Sequence, residues 1–501
     1  MHGFGDTRPI VVGAGIAGLS TALRLSAYGP VRLIAAQPLG VGAATGWAQG
    51  GLAAAIGADD NAALHAADTV AAGDGLVAPD AAIRIAAAAP DAIAWLDGLG
   101  AGFDRDGAGA LRLGLEAAHS RRRIVHANGD STGAAVLAAL VRAVQATPTI
   151  EVAVLQLRRL LLDAHGAVGG VLATDRSGAN VLLHGARVVL ATGGVGGLFP
   201  HTTNPLGATG AGLTAAALAG APLADLEFVQ FHPTALAVDL DPMPLISEAL
   251  RGEGAFLVDE TGAPVMAGFA RGDLEPRDVV ARAVHAVWAR GGAVALDARR
   301  LDNFAARFPQ IAAACAASGV DAQNQPIPVR TAAHYHMGGV AVDAAGRADI
   351  AGLWACGETA STGLHGANRL ASNSLTEGAV CAVALADDVA AATARAGPIH
   401  CVPRASASVD AAPVRRIMAR VGVVRDAGGL GQAVRDLTDL FHRGGDAADP
   451  ALAGLLIATA ALRRTESRGA HRRADFPQTD AQPMRSLLTM ADLDLRPAVA
   501  A

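Results

Sequence analysis

The chain has 501 residues and a formal net charge of −6, with 46 acidic side chains against 40 basic ones. No lysine occurs anywhere, so all 40 cations are arginine; this excludes a Schiff-base lysine and the lysine of a G-x-x-x-x-G-K-[ST] phosphate loop. With 51% hydrophobic and 17% charged residues the chain can bury large cores, its length suggests about three domains, and its mild acidity gives no global reason to expect nucleic acid.

Ile10-Val11-Val12 reads as a short buried strand and runs straight into Gly13-Ala14-Gly15-Ile16-Ala17-Gly18. An alanine- and leucine-rich helix to Ala27 and a second strand at residues 31–35 follow, so the glycine pattern sits in a βαβ context. Gly13 permits the tight turn, Gly15 lets backbone approach a pyrophosphate, Gly18 lets helix pack on strand, and the helix N-terminus supplies an anion site. The second strand ends Ala35-Ala36-Gln37, without the acidic residue that usually binds a ribose hydroxyl. Further along, Val188-Val189-Leu190 leads into Ala191-Thr192-Gly193-Gly194, and Leu353-Trp354-Ala355 into Cys356-Gly357-Glu358. Three strands ending in glycine-rich turns suggest one domain converging on a long cofactor.

Residues 188–224 carry no charged side chain but are broken by Gly, Pro and Asn, which argues against a spanning helix. Cysteines 315, 356, 381 and 401 lie far apart with no C-x-x-C, which suits a reducing cytosol and excludes a dithiol flavin reductase. The N-terminus, MHGFGDTRPI, lacks the basic and apolar blocks of a secretory leader. Residues 395–412, rich in Pro, Ser and Ala, read as a linker; beyond it Val414, Ile417, Val421 and Val424 have helical spacing and predict a helical C-terminal domain. The last residues, from Gln478, read as a tail. His334 and His336 stand two apart, but no third ligand cluster accompanies them and no metal is expected. The pairs Arg415-Arg416 and Arg463-Arg464 read as solvated helix faces or as contacts from the C-terminal domain to the body.

A series of motifs occurs in order: Ala48-Gln49-Gly50-Gly51, His201-Thr202-Thr203-Asn204-Pro205, Gln230-Phe231-His232-Pro233-Thr234, Arg251-Gly252-Glu253-Gly254, Pro276-Arg277-Asp278, Ala333-His334-Tyr335-His336-Met337-Gly338-Gly339 and His365-Gly366-Ala367-Asn368-Arg369. Together they resemble the succinate dehydrogenase/fumarate reductase flavoprotein superfamily across nearly the whole chain. Within it the chain is most similar to the L-aspartate oxidase family. Ala44 stands where membrane-bound relatives carry the histidine that attaches FAD covalently. Glu116-Ala117-Ala118-His119-Ser120-Arg121-Arg122-Arg123 looks like the segment that places an acidic group near a substrate amine. Ala371-Ser372-Asn373-Ser374-Leu375-Thr376-Glu377 and Glu248-Ala249-Leu250-Arg251 match that family's wording.

The resemblance implies an α/β fold: a Rossmann-like FAD-binding domain (1–228 and 340–398), an inserted α+β capping domain (229–339), a C-terminal helical domain (413–477) and a tail (478–501). It implies non-covalent FAD held by Gly13, Ala14, Gly15, Gly18, Ala44, Thr45, Gln49, Gly50, Gly51, Glu358, Asn373, Ser374 and Leu375. It implies FAD-dependent oxidation of L-aspartate to iminoaspartate with O₂ or fumarate as acceptor. That reaction is the first step of de novo NAD biosynthesis through quinolinate, in the cytoplasm and with a possible hand-off to quinolinate synthase. A dicarboxylate calls for guanidinium forks; by resemblance Arg369 holds one carboxylate, while His232, Ser247 and His334 bind the other or help close the site, with Arg251 nearby. Arg277 lies nearest the reacting carbons, either as a base relayed through a neighbour such as Asp278 or as an electrostatic group. Glu116 favours the ammonium-bearing substrate, with Arg121, Arg122 and Arg123 available to hold it or its loop. Cys356 reads as a small core residue beside the flavin. Two departures stand out: Ala211 replaces an aspartate that hydrogen-bonds the cofactor in many relatives, and Ser247 replaces a threonine. A soluble fumarate reductase or succinate dehydrogenase is the competing enzyme, and a non-catalytic flavin-binding scaffold the competing non-enzyme.

Overall fold

The computed structural model describes residues 8–393, 397–399, 402–403, 405–493 and 495. Its centre is a five-stranded parallel sheet, ordered Leu353–Ala355, Val188–Leu190, Ile10–Val12, Val31–Ala35, Ile150–Val154. The strands Ile10–Val12, Val31–Ala35, Val188–Leu190 and Leu353–Ala355 are buried throughout, which is why they read as unbroken apolar runs without alternation. The three strands that end in glycine-rich turns are neighbours in this sheet, so their C-terminal ends open side by side, the position at which α/β folds bind ligands. The helices Ile16–Leu25 and Asn373–Ala391 pack against each other over the sheet. Small residues permit this: a Cβ at Gly378 would meet Ile16 Cγ2 at 3.0 Å and Ala17 Cβ at 3.5 Å. Gly18 lets the first helix sit on the turn before it, where a Cβ would come within 2.0 Å of the Gly13 carbonyl oxygen.

A second body of structure is inserted between the Val188–Leu190 and Leu353–Ala355 strands of this sheet. Val229–Leu236, Ile327–His336, Val294–Asp297 and Phe256–Asp259 form a four-stranded antiparallel sheet in that order. The helix Arg277–Ala289 crosses it and encloses a core of its own that includes Leu250, Val280, Val284 and Leu296. The C-terminal part is helical, with Ala412–Met418, Ala427–Arg443 and Ala448–Arg463 sharing the core of the main sheet. The architecture is thus the α/β one expected: a Rossmann-like sheet domain with an α+β insertion and helices at the end.

Two local expectations differ from the structure. The apolar face predicted through Val424 stops early, because the helix ends at Met418 and passes through a tight turn at Ala419–Val421. Val423 is therefore buried and Val424 is 41% exposed. The segment from 478 is not a loose tail as far as residue 493. Leu487–Leu488 adds a strand to Leu223–Ala224, and Arg485 Nε donates to Asp225 at 2.7 Å. The linker expectation falls partly on residues 394–396, 400, 401 and 404, and that for Cys401 wholly so; these lie outside the described residues. Arg415 donates to the Phe199 and Pro200 carbonyls and pairs with Asp241, so it ties the C-terminal helices to the body.

Candidate active site

Where the sheet's C-terminal ends splay there is a cavity of about 550 Å³. Gly13, Ala14, Gly15, Ala44, Thr45, Glu358, Ser374 and Leu375 line it, as do Ala35, Ala36 and Gln37 from the strand end without an acid. The wall is built for close approach. A Cβ at Gly13, whose φ is +120°, would lie 2.0 Å from the Ala191 oxygen, and one at Gly15 would lie 3.2 Å from Thr45 Oγ1. Thr45 Oγ1 accepts from the Ile16 N–H at 3.0 Å, capping the fingerprint helix and leaving its own proton free for a ligand. The starts of the Ile16–Leu25, Ala211–Leu218 and Asn373–Ala391 helices all reach the cavity, through Gly15 and Ile16, Ala211, and Ser374. Converging N–H groups and glycine-lined backbone suit a pyrophosphate. Cys356 also lines the cavity; burial pushes its thiol up to about 12, so it is a neutral packing group.

Not every expected cofactor residue lies on that wall. Gly18 is buried against the Gly13 turn and Ala191. Gln49 turns away and accepts from the Ser247 N–H at 3.2 Å. Gly51 packs on Val125, where a Cβ would meet the carbonyl oxygen at 2.3 Å. Gly50 faces Glu116 and Ser372. The Asn373 side chain is committed elsewhere, to His65 Nε2 at 2.8 Å and Thr69 Oγ1 at 3.0 Å, because it sits on the inner face of its helix.

A polar cluster adjoins the cavity through Arg369 and His334, which line both. Gln230 is its hub. Its Oε1 accepts from Arg277 Nη1 at 3.0 Å and from Arg369 Nε at 3.3 Å, and its Nε2 donates to Asn368 Oδ1 and the Arg369 oxygen, both at 2.9 Å. Arg277, the first residue of its helix, forks onto Glu248 with bonds of 2.8 and 2.9 Å. Burial alone would lower the affinity of Arg277 for its proton, but the Glu248 carboxylate more than offsets that and holds it above the ordinary guanidinium range. Arg251 lies 3.4 Å from the same carboxylate and donates to the Asp273 oxygen. Arg369 stacks over the Tyr335 ring, 4.6 Å from its centroid; burial and the nearby Arg277 lower it to about 10.

The strand Val229–Leu236 carries irregularities on both sides of His232 that re-aim its side chain. His232 Nδ1 accepts from the Thr234 N–H at 3.2 Å, and its Nε2 has no partner among the described residues. The His334 ring lies 5.0 Å away and is held by Thr203 Oγ1 at 2.8 Å. Burial, then the surrounding arginines, push both rings well below the ordinary imidazole range, so both are neutral. His336 points elsewhere, to the Leu226 oxygen at 3.0 Å. Among the described residues no group of three or more His, Cys, Asp or Glu is arranged to hold a metal.

Glu116 completes the cluster. Its Oε2 accepts from Ser372 Oγ at 2.6 Å, and it is 3% exposed. Burial and the Glu248 charge raise it to about 7, against the opposing pull of Ser372, Arg277 and Arg369. Of the two roles expected for the arginines after Glu116, the ion pairs fit the holding of the loop: Arg123 is fully buried on Asp60 and Asp68, and Arg121 faces Asp59. One sequence expectation is corrected. The carboxylate on Arg277 is Glu248 and not Asp278, which pairs with Arg282 and accepts from Asn368. Gln230, Glu248, Thr203, Tyr335 and Ser372 had no role assigned from sequence. Glu248 left a signal, since a charge set between Ile246 and the Ala249-Leu250 pair must find a partner if that segment is buried.

A family model described as "FAD binding domain" matches residues 8–375, and one described as "Fumarate reductase flavoprotein C-term" matches residues 445–496. The L-aspartate oxidase of Agrobacterium fabrum is 49% identical over 97% of this chain and 94% of its own length. That of Mesorhizobium japonicum is 52% identical over 96% and 94%. Among solved structures, an E. coli quinol fumarate reductase FrdA variant superposes with a TM-score of 0.87 at 28% identity, covering 98% of each chain. A Mycobacterium smegmatis Sdh1 structure in complex with UQ1 reaches 0.79 at 31%, covering 95% of this chain and 90% of that one.

Proposed function

This chain belongs to the L-aspartate oxidase family of FAD-binding flavoproteins, and from that membership we infer that it oxidises L-aspartate to iminoaspartate. Bound FAD supplies the two-electron acceptor for the Cα–H bond. The observation that carries the substrate assignment is Glu116, a buried carboxyl set beside the arginines and histidines of a dicarboxylate clamp. A succinate-only site has no use for a buried acid there, whereas an ammonium does.

Arg369 binds one substrate carboxylate with its fork; His232, through its free Nε2, Ser247, Arg251 and His334 bind the other. Glu116 receives the ammonium and takes up the proton it loses, for which an affinity of about 7 is suited. Arg277 stays cationic, because Glu248 strengthens its hold on its proton, and acts by stabilising charge rather than as a base. The segment 229–339 serves as a cap that brings Glu248, Arg277 and His334 to the site and excludes water.

The cofactor is held by Gly13, Ala14, Gly15, Thr45, Glu358, Ser374 and Leu375, without a covalent bond, since Ala44 offers no nucleophile. Acid precipitation should therefore release all the yellow colour into the supernatant; colour retained in the pellet would contradict this. The electrons leave to O₂, giving peroxide, or to fumarate, giving succinate. The imine is labile, so prompt delivery to quinolinate synthase, at the start of NAD biosynthesis, fits its chemistry. Among the described residues no helix is long and apolar enough to cross a membrane, and we place the enzyme in the cytoplasm.

The kinship to fumarate reductase and succinate dehydrogenase keeps one alternative in view. Anaerobic L-aspartate should bleach the flavin band of the purified protein rapidly, and succinate should do so far more slowly. Bleaching by succinate alone would overturn the assignment.

A further inference from the structure

We propose that Ser372 is a positioning residue for substrate specificity: its hydroxyl holds Glu116 as a carboxylate, ready for an ammonium-bearing substrate. This rests on the reading of Glu116 given above and extends it to a residue outside the clamp.

The hydrogen-bond partners orient the hydroxyl. The Gly51 N–H donates to Ser372 Oγ at 3.2 Å and occupies one of its lone pairs. With Glu116 ionised, the hydroxyl proton points at its Oε2, 2.6 Å away. A donor aimed at a carboxyl oxygen stabilises its ionised form. Gly50 leaves the room: a Cβ there would stand 3.2 Å from both Glu116 Oε1 and Ser372 Oγ.

The turn is held at three successive residues. His119 Nδ1 lies 3.3 Å from the Arg123 guanidinium, a pure donor, so His119 Nε2 carries the proton and donates to the Ala371 oxygen at 3.0 Å. The Ser372 oxygen accepts from the Ala53 N–H at 3.1 Å and from Thr376 Oγ1 at 3.2 Å. Asn373 is bound by His65 and Thr69. This grip keeps Ser372 at φ +60°, a left-handed conformation that a serine does not adopt unforced. The other groups bearing on Glu116 are the Glu248 carboxylate, which opposes its ionisation, and the Arg277 and Arg369 guanidiniums, which favour it. Among the described residues, Ser372 alone of the contacts that favour the carboxylate hydrogen-bonds it.

The test is the pH dependence of kcat/KM for L-aspartate in Ser372→Ala and Ser372→Gly. Both delete the hydroxyl, but glycine relieves the backbone conformation that alanine retains, so a purely conformational role would separate them. Loss of a hydrogen bond to a charged group should move the acidic limb upward by about one to two pH units in both variants. At pH 7 that lowers kcat/KM for L-aspartate roughly 5- to 50-fold, with no matching loss for succinate. A limb that stays in place in both variants, or moves in only one, overturns the proposal. A second reading does not depend on turnover: infrared titration of the Glu116 carboxyl, assigned against Glu116→Gln, should show the same upward shift. If the unaltered enzyme fails to oxidise L-aspartate, the proposed function falls, while this titration still decides whether Ser372 controls Glu116.

Discussion

Glu116 and Arg277 divide the electrostatics of the cluster between them, and burial acts on both. Glu116, raised to about 7 by burial and by Glu248, is ionised above that pH and protonated below it. The limb of kcat/KM for L-aspartate that needs the carboxylate should therefore fall as pH drops through about 7, and should vanish in Glu116→Gln. That variant should lose about 10- to 100-fold in kcat/KM for L-aspartate and much less for succinate, as expected for one bond to a charged group; equal losses in steady-state assays would remove Glu116 as the ammonium partner. The residue types of this site were legible in the sequence because arginine forks and histidines recur in recognisable motifs. The partner of Arg277 was not. Asp278 is its neighbour in the chain, but successive residues of a helix do not share a face. That turn sends Asp278 to Arg282 and Asn368, and leaves Arg277 to Glu248, 29 residues earlier.

At the level of elements, the parallel strands were the most legible part, since strands buried on both faces must be apolar throughout. The helix start at Gly15 was legible too, but its cap was not. Thr45 comes from the 3-10 turn Ala44–Trp47, 29 residues away, so its bond to the Ile16 N–H is a tertiary contact. Thr45→Val should cost about 1 kcal/mol of stability through the lost cap. It should also weaken FAD binding, because the same hydroxyl faces the cavity. Thr45→Ser should retain both. Flavin fluorescence titrations and thermal midpoints of the two variants would check this, and equal affinity in all three proteins would exclude the hydroxyl from the cofactor site. The 371–373 turn was read as motif wording, with only Asn373 given a role, at the cofactor, because the turn's bonds come from residues 51, 53, 65, 69, 116 and 119. Long-range satisfaction of backbone groups leaves no local pattern.

On the scale of the whole molecule, the C-terminal helices reach the site through a buried charge. Glu227, wholly buried, pairs with Arg464 from the end of the last long helix and accepts from Ser486 Oγ at 2.8 Å. Arg425 donates to the Glu227 backbone oxygen at 2.7 Å. The next residue, Phe228, lies under the Arg464 guanidinium at 4.9 Å and leads into the strand that carries Gln230 and His232. Arg464→Met would strand a buried carboxylate, at a cost of about 3–5 kcal/mol. Burial already raises Glu227 above the ordinary carboxyl range despite Arg464, so without that cation it rises further. The folded state then binds a proton that the unfolded state releases, and stability falls as pH rises above the unfolded carboxyl value. The thermal midpoint of Arg464→Met should accordingly lie much further below that of the unaltered protein at pH 8 than at pH 5.5. Adding Glu227→Leu should recover most of the deficit at pH 8, since no charge then remains to be stranded. The KM for L-aspartate should rise in the single variant, because the base of the Gln230–His232 strand loosens. A deficit independent of pH, or one that Glu227→Leu deepens, would mean that packing of Arg464 on Phe228, and not its charge, joins the C-terminal helices to the site.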